Sequence, residues 1–133
     1  MIHKILVLAD PSPVSEQALI EAVKIGQIYH SIITCIHPII RHDDLLLKVG
    51  QDLKKRFEEI VSSTGLEFEW VMAEDPPGPA VVKAVITRNV DLAVLGSLGE
   101  RGIKRQLVSS PVEYVVKNAP CNVLVVKNEH SVF

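Results

Sequence analysis

The sequence is poor in cysteine and in aromatic side chains and nearly neutral, and each shortage removes a class of function. Its two cysteines, Cys35 and Cys121, lie far apart, beside or within apolar stretches, with neither zinc-site nor disulfide-framework spacing. They read as small buried hydrophobes in a reducing compartment, which points to the cytoplasm. Fourteen basic side chains against 16 acidic ones leave a formal charge of -2, so nothing electrostatic argues for a nucleic-acid partner. No apolar run reaches the roughly 20 residues that cross a bilayer. The opening MIHKILVLAD breaks at Asp10 and Pro11, so neither a targeting nor a membrane segment is expected. His37 follows an apolar stretch, but no second histidine or cysteine stands at ligand spacing, and a packed or rim histidine is expected there. Ser12 and Ser15 have no base nearby, so neither reads as a nucleophile.

What is present is a regular alternation of apolar runs and amphipathic stretches over 133 residues, 47% of them apolar. That length suits one domain, residues 1–133, with a core large enough to need no metal or disulfide. Ile5–Ala9 is apolar on both faces, as a central parallel strand covered by helices must be. Ser12 and Pro13 open a helix with Val14, Ala18, Ala22, Ile25 and Tyr29 on one face, which Leu19, Val23 and Gly26 widen. Ile32–Ile36 is a second strand, and Asp43–Thr64 a second helix carrying Leu46, Val49, Leu53, Phe57 and Ile60, closed near Gly65. Glu67–Met72 alternates like a half-exposed edge strand, with Phe68, Trp70 and Met72 on one face. Pro76–Pro79 reads as a rigid turn before a helix over Ala80–Asn89. Leu92–Leu95, Pro111–Asn118 and Val123–Val126 complete the pattern as strand, helix and strand. Four β-α repeats closed by a strand predict an α/β fold, a doubly wound parallel five-stranded sheet with helices on both faces.

In such a sheet a ligand lies beyond the carboxyl ends of the strands, where strand order reverses. The first and fourth strands, both apolar on both faces, are the candidates for central neighbours, and they end at Asp10 and Gly96. After Gly96 come further glycines at 99 and 102, then Ser110 at a helix start, with Pro111 in the first helical position and Glu113 completing a capping-box pattern. A strand feeding a glycine-bearing loop that ends on a helix N-terminus suits an anion.

This ordered set resembles the universal stress proteins over nearly the whole chain. The residues that carry the resemblance are ILVLAD up to Asp10, His37-Pro38, Asp75-Pro76, Gly96 and Gly99 nine residues ahead of Ser109-Ser110, and Ala119-Pro120-Cys121 before Val123–Val126. The resemblance implies strand order 3-2-1-4-5, a homodimer, and a crevice that in some members binds ATP. It implies that Asp10 lies near the ribose and the metal-bound phosphates, touching magnesium only through the nucleotide, that Pro38 and Ile39 border the adenine, and that the stretch from Gly96 to Ser110 holds ribose and phosphates.

Two departures count against a full site. Ser109 stands where the family keeps glycine, and Pro111 brings no N–H to a helix start from which phosphates draw donors. Gly96 and Gly99 serve either a ligand or the shape of a turn, Ser110 either a phosphate or the helix cap, and Asp10 either a ligand or the turn around Ser12 and Pro13. Arg101, Lys104 and Arg105 either meet phosphates from above or are plain solvated loop residues, the second reading being favoured. The expected function is a non-catalytic, homodimeric stress-response protein with an eroded adenine-nucleotide crevice, binding ATP with magnesium weakly or not at all. A working ATP-binding regulatory module and a purely structural or interaction dimer are the competing readings. A slow ATPase ranks below them, since nothing positions an attacking water. Val123, Leu124, Val125 and Val126, apolar on both faces with no gatekeeping charge, are expected to pair with a second copy, an unidentified protein partner being the other candidate. The tail Asn128–Phe133 folded back as a lid is the alternative cover.

Overall fold

The computed structural model describes residues 1–97 and 110–127. The chain runs β1 (Lys4–Leu8), α1 (Pro13–Tyr29), β2 (Ile32–Pro38), α2 (Asp44–Ser62), β3 (Phe68–Ala73), α3 (Pro77–Arg88), β4 (Leu92–Gly96), α4 (Pro111–Asn118) and β5 (Asn122–Val126). The five strands form one sheet in the order β3-β2-β1-β4-β5, and each pairing is parallel. β1 is therefore central, between β2 and β4, as its two-faced apolar run requires.

Alternation along β1 divides the core into two layers. Ile5, Val7 and Ala9 point to the face covered by α1 and α2, where Ala18, Leu19, Ala22, Phe57 and Val61 are buried against them. Leu6 and Leu8 point to the other face and meet Ala80, Val81, Ala84 and Val85 of α3 and Val115 of α4. Each fully buried Val, Leu, Ile or Phe side chain among these contributes about 1.5–3 kcal/mol, and the alanines less.

Local signals set the ends of the helices. Ser12 caps α1, its hydroxyl accepting from Ser15 N at 3.3 Å, and Asp43 caps α2 through Leu46 N at 2.8 Å. Two expectations need correction. Pro77 to Pro79 is not a turn ahead of α3 but its first turn, where missing N–H groups cost no intrahelical bond; Ala80 N already donates to Pro76 O at 2.9 Å. Tyr29 is exposed and does not share the buried face of α1, where Val14, Ala18, Leu19, Ala22, Val23 and Gly26 lie as expected and Ser15 joins them. At the sheet edge, Glu69 accepts from Thr34 Oγ1 at 2.9 Å and pairs with Arg88 at 2.9 Å.

Candidate functional site

Where β1, β2 and β4 run out, the chain leaves the sheet in different directions and opens a cavity of about 330 Å3. It lies at the small end of the usual range for ligand sites. Asp10, Pro38, Ile39, Gly96 and Pro111 all line it, so residues far apart in sequence meet at one point. Gly99, Ser109, Arg101, Lys104 and Arg105 lie outside the described residues, as does the tail from Asn128 to Phe133.

The wall on the β1–β2 side is firmly built. Asp10 turns the chain: its Oδ1 accepts from Ser12 N at 2.8 Å, the side-chain turn expected of aspartate at such a corner. Beneath it Ser15, which is buried, donates its hydroxyl to Leu8 O at 2.9 Å and accepts from Asp10 N at 3.0 Å. His37 Nδ1 lies 2.9 Å from Ala9 O; because a carbonyl only accepts, Nδ1 carries the proton. The imidazole stacks on Trp70 with centroids 5.6 Å apart, so His37 is both packed and at the rim of the cavity. Ile39 N donates to Ala73 O at 2.6 Å, which fixes the strand end that borders the cavity. Ile40 from the following loop and Leu46 and Val49 from α2 complete an apolar surface. A Cβ at Gly50 would stand 3.2 Å from His37 Nε2, so the small residue lets α2 close down on the histidine.

The wall on the β4–α4 side has a different character. A Cβ on Gly96 would lie 2.7 Å from Val14 O and 2.9 Å from Val14 C, so this glycine is required by the close approach of the α1 backbone, ligand or none. It is not among the described residues with positive φ, so left-handed freedom is not what it supplies. Ser110 caps α4, its hydroxyl accepting from Val112 N at 3.1 Å, and is not among the residues lining the cavity. Glu113 does not complete the expected box: it is exposed, with its carboxylate 3.8 Å from Lys117 Nζ. Pro111 supplies no N–H and Val112 has spent its own on the cap, so two of the first amides of α4 are closed to an anion.

The site can therefore enclose a flat apolar group against Pro38, Ile39, Leu46 and Val49 and offer it one carboxylate and one imidazole. No His, Cys, Asp or Glu cluster able to hold a metal occurs among the described residues. Burial raises the thiol pKa of both Cys35 and Cys121, and neither borders the cavity. Sequence reasoning missed Leu46, Val49, Pro77 and Val112 as lining residues. The two on α2 had a signal, an apolar start to an otherwise charged helix, but it is the same signal that ordinary core packing gives.

The sequence profile of the universal stress protein family matches residues 1–127. The chain belongs to the universal stress protein family. As a family member it is similar to universal stress protein MJ0531 of Methanocaldococcus jannaschii, 30% identical over 138 residues that cover 93% of this chain and 81% of that one. Against a putative universal stress protein of Staphylococcus epidermidis the match covers 60% of this chain and 49% of the relative. Among solved structures, universal stress protein UspA from Lactobacillus plantarum matches with a TM-score of 0.77 and 26% identity, over 94% of this chain and 97% of that one. The universal stress protein from Archaeoglobus fulgidus in complex with dAMP matches with a TM-score of 0.78 and 19% identity, over 96% and 100%. No helix among the described residues of this universal stress protein is long and apolar enough to cross a membrane.

Proposed function

We propose that this chain forms one universal stress domain that works as a non-catalytic, cytoplasmic homodimer, with an adenine-nucleotide crevice kept at its ring end and worn at its phosphate end. The observation that carries the reading is the contrast within one cavity. An apolar wall runs from Pro38 to Val49, while in α4 Pro111 supplies no amide and the amide of Val112 is committed to the Ser110 cap. Other proteins of this fold were solved with cAMP, dAMP or AMP, at 18–20% identity, a likeness that shows the fold alone. The ligand reading therefore rests on this chain's own crevice. Magnesium demands an oxygen-rich octahedral shell, and Asp10 is the one carboxylate lining the cavity among the described residues. A magnesium ion would enter only as part of the nucleotide. Each donor missing from a phosphate cradle costs about 1–3 kcal/mol, so magnesium-ATP is expected to bind with a dissociation constant no better than roughly tens of micromolar. Calorimetry tests this; submicromolar binding, or ATP carried through purification, contradicts the worn site.

The dimer is proposed through β5. Among the described residues its free edge has no partner strand, and Val123, Leu124, Val125 and Val126 are each only half-buried. A second copy of the strand, antiparallel across a two-fold axis, would cover both the edge and the apolar residues. Sedimentation at low micromolar concentration should give a dimer, and Val125→Lys should shift it toward monomer. A monomeric parent, or a dimer indifferent to Val125→Lys, rules this interface out.

A further inference from the structure

We propose that Ser15, a residue that does not border the cavity, is a positioning residue that aims the Asp10 carboxylate at a ligand in the crevice. The inference rests on the crevice reading and adds to it the group that sets its polar contact. Ser15 is 2% exposed, and its hydroxyl bridges two main-chain atoms at the end of β1. It donates to Leu8 O at 2.9 Å and accepts from Asp10 N at 3.0 Å. The chain leaves the sheet between these two residues, just after Ala9 N has made its bond to Ile36 O at 2.8 Å. The hydroxyl therefore fixes the direction in which Asp10 departs, and Oδ1 of Asp10 is then fixed by Ser12 N at 2.8 Å. An ionised carboxylate only accepts hydrogen bonds, so a ligand that pairs with Asp10 must present a donor such as a hydroxyl. A phosphate presents none and is repelled.

The test compares adenosine with 2′,3′-dideoxyadenosine, which lacks both ring hydroxyls, by calorimetry on the full chain. The parent should prefer adenosine by about ten- to a hundredfold, the usual effect of one hydrogen bond to a charged group. Ser15→Ala should reduce that preference to within about twofold, as Asp10→Ala does, while affinity for the dideoxy compound stays near the parent's. A purely structural serine would weaken both ligands equally, and an unchanged ratio in Ser15→Ala overturns the proposal. Should Ser15→Ala fail to fold, Ser15→Cys keeps the size with a weaker donor and acceptor, and its ratio must fall between those of the parent and Asp10→Ala; a parental ratio there overturns the proposal equally. If the parent binds both nucleosides alike, the Asp10 contact is wrong although the crevice reading survives. If it binds neither, the crevice reading itself fails.

Discussion

The two walls of the crevice are made of the same materials, a strand end, a turn and a helix start, yet their side chains are engaged in different ways. On the β1–β2 wall the hydrogen bonds of Asp10, His37 and Ile39 all serve to hold residues at the cavity's edge. On the β4–α4 wall the features that look most like ligand binding have an internal explanation: Gly96 makes room for Val14, and Ser110 caps its own helix. A glycine-and-hydroxyl pattern thus reports a shape as readily as a ligand, and only the list of spent and unspent donors separates the two.

The largest effect that would break this comparison lies at Gly96. Gly96→Ala forces a Cβ to 2.7 Å from Val14 O, in backbone that cannot easily give. It is expected to destabilise the protein by about 1–3 kcal/mol in thermal melts without any nucleotide. A variant that melts like the parent but binds nucleotide less well would return Gly96 to the ligand.

Next comes repair of the phosphate wall. Ser109→Gly combined with Pro111→Val restores the family's glycine and an amide, and should tighten magnesium-ATP by about tenfold while leaving adenosine within about twofold. An ATP affinity that does not move would locate the deficit elsewhere.

Ser110→Ala is expected to cost about 1 kcal/mol of stability with or without nucleotide, because Val112 N loses its acceptor. An unchanged melting midpoint would remove the cap from the account and make Ser110 a ligand residue.

The smallest effect is at the far end of the sheet, where acid should act and the crevice should not notice. Burial pushes the Glu69 carboxyl up, but hydrogen bonds from Thr34 and Arg88 and the charges of Arg88 and Lys4 outweigh it and leave the carboxyl below its ordinary value. Asp91 is lowered chiefly by the amide of Lys4, with that of His3 assisting against a burial penalty. Both are lower folded than unfolded, so their stabilisation is present above about pH 4 and is lost as pH falls through the folded values. Glu69 is half exposed, so its share is under about 1 kcal/mol. Comparing denaturation of the parent and Glu69→Gln at neutral pH and near pH 3 should show a smaller difference at the acid end.

The sheet and its helices were legible in the sequence because each strand of the centre is apolar on both faces and Ser12 and Ser110 mark helix starts in the usual way. Strand order came from resemblance and agrees with the pairing, whereas periodicity reached only the neighbourhood of β1 and β4. The first turn of α3 was misread because Pro77 and Pro79 carry the same signal in a turn as in the first turn of a helix. Asp10, Pro38, Ile39, Gly96 and Pro111 were identified and do meet at the cavity. What the sequence did not disclose were the bonds His37 to Ala9 and Ser15 to Leu8 and Asp10, and the contact of Gly96 with Val14. Each depends on where the end of β1 lies against β2, α1 and β4, and no local pattern encodes that.

The contrast between the walls is tested most directly by titrating adenosine and magnesium-ATP into the same parent protein by calorimetry. If the ring end is kept and the phosphate end is worn, the triphosphate adds little, and the two dissociation constants should agree within about tenfold, neither below roughly tens of micromolar. ATP binding a hundredfold more tightly than adenosine would mean that the phosphate wall is intact, and would contradict the account at its centre.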